Sequence, residues 1–531
     1  MPIRSPAQAR TNDNSYSDVL ARSPPIADTS NSENEDNMLA IDKELEDAHV
    51  VGADPLADPR SYRKAMARSN AAQWAEAFME EMAAHECNST WELVDCPPGV
   101  HVVDNRWVLN KARLVARGLT QRPGVDYFKT YAPTAPPPAV HTTFPLAAAL
   151  GLPLRSIDIS NAFLNGDIDA DIYMRQPEGF ALGGRNKVCK LQKGIYGTKQ
   201  GARAWQVKLC QILVDELRFR AIYSAGSVFV YRNGNELVLL PFHVDDSTFA
   251  GSSDELNTKL ITRLSQFFKL CDLGTTEFVL GIAVKQDLIA GRIELSQRQY
   301  IIKILERFAM SGCGSVTTPM TPGLSLSRAD LPQTDEEYAE MADVPYGNAV
   351  GALLYLATST QPDISFTVAT LCRFIANPGI KHWNAVKHLF CYLQGMKDAR
   401  LVYRHDLFDP RGIFTAYCDA DNAGNVDNGC STGGYALLIT GAAVSWSSRL
   451  QTITALSTTE AEYVSAVDAG KEVAWMRQLL DEFGFTLPGP LTLAMDNQSA
   501  ISVAKNPEHH GCMKHLDLRF YWLHDAVADG R

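Results

Sequence analysis

Eleven cysteines are scattered over 531 residues without one CxxC pair, and none has a His partner at metal-ligand spacing. That pattern argues against a structural zinc site or a disulfide framework and for free thiols in a reducing compartment. No uninterrupted apolar run approaches the ~18 residues that a membrane span needs, and the N-terminus lacks the apolar segment of a secretion signal. Between Ala181 and Val214 there is no Asp or Glu at all. That window holds Arg185, Lys187, Lys190, Lys193, Lys199, Arg203 and Lys208, interleaved with Tyr196 and Trp205. Cations that neutralise phosphates, with aromatic platforms between them, suit a nucleic-acid track; a solvated basic face accounts for the charges equally well. The net charge of -12 decides little, because one groove does the binding while the charge is summed over the whole chain.

What is present divides the chain by texture. The length and a hydrophobic content of 46% predict about three or four domains. Residues 1–58 are rich in Ser, Asn, Asp and Pro, and from 31 to 60 nine acidic residues face two basic ones. Such a stretch cannot bury enough apolar area to offset its ordering entropy, so it is expected to be disordered. From Pro59 the pattern is globular. Trp74, Phe78 and Met82 recur at helical spacing, and WVLN and KARLVARG read as strand pieces in a basic neighbourhood with Arg113 and Arg117. Helices are expected near 346–358 and 381–396. FTAYCD, STGGYALLIT and AAVSWSSRL then read as three antiparallel strands. A long helix follows from STTEAEY, with a capping box from Ser457 to Glu460.

Two sets of carboxylates carry the chemistry. In FHVDDSTFAGSS, Asp245 and Asp246 occupy a turn between two apolar runs, and Asp158 closes a separate apolar run. Like charges packed together raise one another's pKa, so the set makes chemical sense as a cage for hard divalent cations that keep room for water and phosphate oxygens. In the second set, Asp419 closes one strand, Glu462 begins the long helix and Asp496 closes the strand LTLAMD. Carboxylates on strand, helix and strand can converge on one side of a sheet and hold metal for phosphodiester hydrolysis.

The ordered stretches NSTWELV, KARLVARGLTQRPGVDYFKTYAPT, DISNAFLNGDIDADIYMRQPEGF, KGIYGTKQGARAW, HVDD, DLGTTEFVLGI and AVSWSSRLQTITALSTTEAEY resemble the reverse transcriptase and ribonuclease H region of Ty1/copia-type retrotransposon Pol polyproteins. The resemblance implies an α+β multidomain fold. A right hand of palm, fingers and thumb-like parts would be followed by an RNase H-like α/β domain. The expected division is a disordered acidic segment at 1–58, fingers and palm at 59–315, a linker and helical connection at 316–410, and the RNase H-like domain at 411–531. It implies an RNA-directed DNA polymerase with Asp158 and Asp246 as main metal ligands and Asp245 assisting. Phe163 is implied as the gate against a nucleotide's 2′-hydroxyl. Lys199, Gln200, Arg203, Arg113 and Arg117 are implied as template and nucleotide contacts. Asp419, Glu462 and Asp496 are implied as the RNase H ligands, with Glu460 as cap partner. Two Mg²⁺ ions per site are implied, with Mn²⁺ as the alternative. The partners would be an RNA template, a DNA primer, dNTPs, an RNA–DNA hybrid and other parts of the polyprotein, with no membrane. The location would be cytoplasmic retrotransposon particles, or the nucleus.

The chain also departs from that pattern. WVLNKARLVARG joins its strands almost directly where the family has a basic hairpin. Pro136 to Pro138 replace an arginine-containing stretch and cannot continue a helix. His243 stands where the family carries Tyr, and HHGCMKH lacks the usual Arg and Thr. The chain reaches Arg531 before the family's last strand and fourth acidic motif, with Asp517 read as part of a helix, so an RNase H domain truncated at its C-terminus and impaired is expected. A catalytically inactive, nucleic-acid-binding remnant is the alternative expectation.

Overall fold

The computed structural model describes residues 61–108, 112–184, 186–408, 414–487, 489–505 and 521–529. The expected disordered segment 1–58, the WVLN–KARL junction at 109–111, Arg185, HHGCMKH and Asp517 lie outside these residues.

The first unit is built on the helix Ala71–Cys87, whose Phe78 is fully buried. Tyr62 and Trp107 close on that ring at 4.9 and 4.7 Å. The helix shares a core with a small sheet in which Trp91–Asp95 pairs with Lys187–Leu191, and with the antiparallel ribbon Asn105–Val108/Arg113–Ala116. Both expected strand pieces are therefore present, and Arg113 sits in the ribbon.

The second unit is a six-stranded sheet in the order Leu270–Thr275, Leu154–Ile159, Asp246–Gly251, Glu236–His243, Val228–Asn233, Arg220–Ala221. Its apolar residues alternate between two cores. Ile157, Phe229, Val238 and Leu240 pack against the helices Gly201–Gln211 and Asp254–Leu264. Leu154, Val228, Val230, Leu237 and Leu239 pack against the helix Pro137–Leu150. A strand buried on both faces reads as a continuous apolar run, which is why VFVY and ELVLLPF carry no polar alternation. Pro136 to Pro138, which cannot continue a helix, stand at the start of one. Pro137 and Pro138 occupy its first positions, where a missing N–H costs nothing and a fixed φ helps.

A third sheet, Phe278–Val279, Ile282–Asp287, Arg292–Ser296 and Leu401–Arg404, receives its last strand only after the helical region. Those helices share one core, and Phe308 stacks on Phe390 at 5.2 Å. The helix Arg298–Arg307 belongs to this core, so the expected boundary at 315 cuts through the helical unit. The expected helices are Tyr346–Ser359 and Ile380–Met396, and Ser365–Cys372 is an unforeseen third between them.

The C-terminal sheet runs Ala442–Leu450, Thr432–Ile439, Phe414–Ala420, Leu493–Ala494, the last parallel to its neighbour. The helix Thr458–Phe483 crosses it and ends at Gly484, whose φ of 90° suits a residue without Cβ. Met476, Leu479, Leu480 and Phe483 of this helix lie in the same core as the helix Pro137–Leu150 and the six-stranded sheet. The boundary near 411 therefore divides the sequence but not the hydrophobic core.

Candidate active sites

The turn that carries the first acidic pair is strained. His243 and Asp246 are the last paired residues of their hairpin, which leaves Val244 and Asp245 as a two-residue loop. Val244 has φ 60°, a value normally left to Gly at the first position of such a loop and rare for a β-branched residue. Two hydrogen bonds hold it. The buried Trp205 donates Nε1 to the Val244 carbonyl at 2.6 Å, and the Ile159 amide donates to the Asp245 carbonyl at 3.1 Å. Local strain of this kind costs about 1–3 kcal/mol and persists only where its surroundings enforce it.

The same clamp brings the distant aspartate to the hairpin. Asp158 is the register partner of Asp246 on the adjacent antiparallel strand, although 87 residues separate Asp158 from Asp245. Directly opposed residues share a face of the sheet. Asp158 and Asp245 are half-buried and Asp246 is exposed.

Around them the structure gathers residues from three segments. Tyr196 is half-buried, and its hydroxyl is pushed up mainly by burial; the charges of Asp245 and Asp158 add to the rise and Arg113 opposes it. Arg113 lies over the Tyr196 ring at 4.8 Å, and Phe163 meets the same ring edge-on at 4.8 Å. Phe163, Arg113 and the aspartates thus converge on a tyrosine that the sequence reading noted only as part of a basic window.

Other expected residues are placed differently. Gln200 is 3% exposed, accepts from Gln121 at 3.1 Å and donates to the Asp126 carbonyl at 2.8 Å. Its amide pins the 121–126 loop and does not face an open groove. Arg203 donates to the Tyr131 carbonyl, Lys199 is half-buried, and Arg117 is exposed. The basic track is also discontinuous: Lys187 pairs with Asp95, Lys190 with Asp171, and Lys193 and Lys208 both with Asp167. Trp205, expected as a stacking platform, is buried beneath the hairpin.

The second set closes more tightly. The strand Leu493–Ala494 runs parallel to Phe414–Ala420 with Ala416 opposite Leu493 and Tyr417 opposite Ala494. The same offset carried onward sets Asp496 level with Asp419. Glu462 comes down from the first turns of the long helix. Among the described residues these are the one group of three potential ligands whose donor atoms all lie within 4.8 Å of one another. The Glu462 carboxyl is pushed up to about 7, first by burial and then by the charges of Asp419 and Asp496. Its Oε2 is buried without a hydrogen-bond partner. An orphaned carboxylate oxygen between two further carboxylates is a donor set that fits a divalent cation. Glu460, two residues earlier, turns back to accept from the Leu456 amide at 2.8 Å, while its own amide caps on Ser457. The Ser457 half of the expected capping box is present, and the Glu460 carboxylate secures the helix start through the Leu456 amide instead.

Three comparisons bear on these sites. A family model described as reverse transcriptase (RNA-dependent DNA polymerase) matches residues 88–322. This span includes Asp158, Asp245 and Asp246 and ends before Asp419. The Pol polyprotein from transposon TNT 1-94 of Nicotiana tabacum is 37% identical over 486 residues, 89% of this chain and 36% of that protein. The Pol polyprotein from transposon RE1 of Arabidopsis thaliana is 36% identical, over 86% of this chain and 31% of its own length. A transposon Ty5-1 protein of Saccharomyces cerevisiae is 30% identical, over 60% of this chain and 100% of its own length. The chain thus spans about a third of the two Pol polyproteins.

Proposed function

This chain belongs to the reverse transcriptase family of copia-type retrotransposon Pol polyproteins, and we propose that it copies RNA into DNA through its Asp158, Asp245 and Asp246 site. One observation carries the reading. The strained 243–246 hairpin sets its acidic pair against Asp158, beside Tyr196, Phe163 and Arg113. The donor set is hard oxygen, which fits Mg²⁺ or Mn²⁺. Bound there, the ions would favour ionisation of the primer 3′-hydroxyl and offset charge on the leaving pyrophosphate.

The protein's own groups have separate tasks. Asp158 and Asp246 would hold the cations from opposed strands, with Asp245 assisting from the loop. Phe163, fixed edge-on against Tyr196, stands as the steric gate on the nucleotide sugar. Arg113, held over the Tyr196 face, supplies a cation for the triphosphate, while Arg117, Lys199 and Arg203 serve the template backbone. The partners are an RNA template, a DNA primer and dNTPs, with other portions of the polyprotein as further partners. No described helix is long and apolar enough to cross a membrane.

For the C-terminal set, we infer hydrolysis of RNA in RNA–DNA hybrids. Asp419, Glu462 and Asp496 would hold the metal that generates the attacking hydroxide.

The test is primer extension on an RNA template with Mg²⁺ or Mn²⁺. Incorporation that falls to background in D245N/D246N is the expected result. A parent protein that incorporates nothing under any metal condition overturns the polymerase reading. The rival reading is binding without turnover: among the described residues, the one group of three ligands with donor atoms within 4.8 Å is the second set. It predicts salt-sensitive retention of a hybrid without extension.

A further inference from the structure

Asp158 and Asp246 are the middle of a longer row. Across the six-stranded sheet, Cys271 is the register partner of Asp158, Asp158 of Asp246, and Asp246 of His243. Opposed residues in antiparallel strands project from the same face, with Cβ atoms about 4.5–5.5 Å apart. Cys271, Asp246 and His243 are exposed and Asp158 is half-buried. The intervening residues Ile157 and Phe242 point the other way, into the core beneath. His243 and Asp246 also line one cavity of about 160 Å³, together with Ser156, Pro241 and Thr248 of the same face and an apolar wall that includes Val140 and Phe278. A nitrogen donor therefore stands beside the hairpin's exposed carboxylate, facing the same open space.

We propose that His243 is a nitrogen ligand at the palm site, shared with Asp246, that biases this site toward divalent transition-metal ions over Mg²⁺. The proposal deepens the polymerase reading and rests on it. Mg²⁺ binds oxygen and dehydrates reluctantly, so an imidazole adds little to its affinity. Ions with more affinity for nitrogen gain from the same group. The C-terminal set offers carboxylate oxygen only, so the two sites of one chain would differ in metal choice.

The experiment uses the full chain with D419N, E462Q and D496N removing the C-terminal ligands. Mn²⁺ is added, and imidazole nitrogen coupling is read by pulsed electron paramagnetic resonance. Coupling in this background that disappears in His243→Tyr, which keeps a ring but removes the ligand nitrogen, is the expected result. Mn²⁺ affinity relative to Mg²⁺ should fall in the same variant. Mn²⁺ bound in an Asp158- and Asp246-dependent manner without nitrogen coupling, or with coupling that survives His243→Tyr, overturns the inference and leaves the polymerase reading intact. No Mn²⁺ bound in that manner also overturns the inference, while the polymerase reading is decided separately by primer extension with Mg²⁺.

Discussion

At the scale of single residues, Glu462 couples the C-terminal site to pH. Its carboxyl is pushed from an ordinary 4.5 to about 7 by burial and by Asp419 and Asp496, so the folded state holds that proton more tightly than the unfolded chain. Stability linked to this group is therefore full at low pH and is lost as pH rises from near 4.5 through 7. The expected loss is on the order of 1–3 kcal/mol, since the shift is shared with Asp419 and partly screened by solvent. Metal-free protein should show this decline in urea unfolding between pH 5 and pH 8, and Mg²⁺ should reverse it at pH 8. Glu462→Gln should flatten the profile and raise metal-free stability at pH 8 by about 1–3 kcal/mol. Equal pH profiles for parent and variant would contradict the account. The acidic residues themselves were legible in the sequence, because each ends an apolar run or begins a helix within a distinctive motif. Their neighbours were less so. Nothing local reveals that the Trp205 ring is buried, or that Lys190 and Lys193 are neutralised by Asp171 and Asp167 across a sheet. Tyr196 could have been suspected from its place between Ile195 and Gly197 within KGIYGTKQ, but not its edge-on contact with Phe163.

At the scale of elements, periodicity predicted most strands and helices and failed where backbone chemistry, not hydrophobicity, sets the outcome. Pro136 to Pro138 cannot continue a helix, but at a helix start the same fixed φ is an advantage, and the start at Pro137 follows from it. The two-residue loop at Val244 is the opposite case, since a Val there gives no hint of a positive φ. Its clamp can be tested directly. Trp205→Phe keeps a buried ring and removes the donor to the Val244 carbonyl, leaving that acceptor unsatisfied. A loss of about 1–3 kcal/mol is expected, from one lost hydrogen bond, together with weaker primer extension as the hairpin relaxes. Val244→Gly should relieve the conformational strain, at a smaller entropic cost, and stabilise the protein by about 1 kcal/mol. If Val244→Gly destabilises instead, the residue's packing outweighs its strain.

At the scale of the whole molecule, the sequence suggests two separate parts joined by a linker, whereas the structure places residues of both in one core. Long-range packing of this sort leaves no periodic trace, because Leu479 and Leu239 look like core residues of separate domains until the fold brings them together. The helix Pro137–Leu150 lies at the centre, with Thr142 donating to the Met476 sulfur at 3.5 Å. Polar contacts reinforce the joint. The Tyr223 amide and the Ser224 amide both donate to the Glu482 carboxylate, and Trp475 Nε1 donates to the Ser224 carbonyl at 3.0 Å. A continuous core implies one cooperative unit. Leu479→Ala, on the C-terminal helix, should cost about 2–5 kcal/mol. Hydrogen exchange should then show lost protection in the strand Glu236–His243 of the six-stranded sheet as well as in the helix Thr458–Phe483. Lost protection confined to the helix would show that the two halves unfold independently and that the shared core contributes little to either.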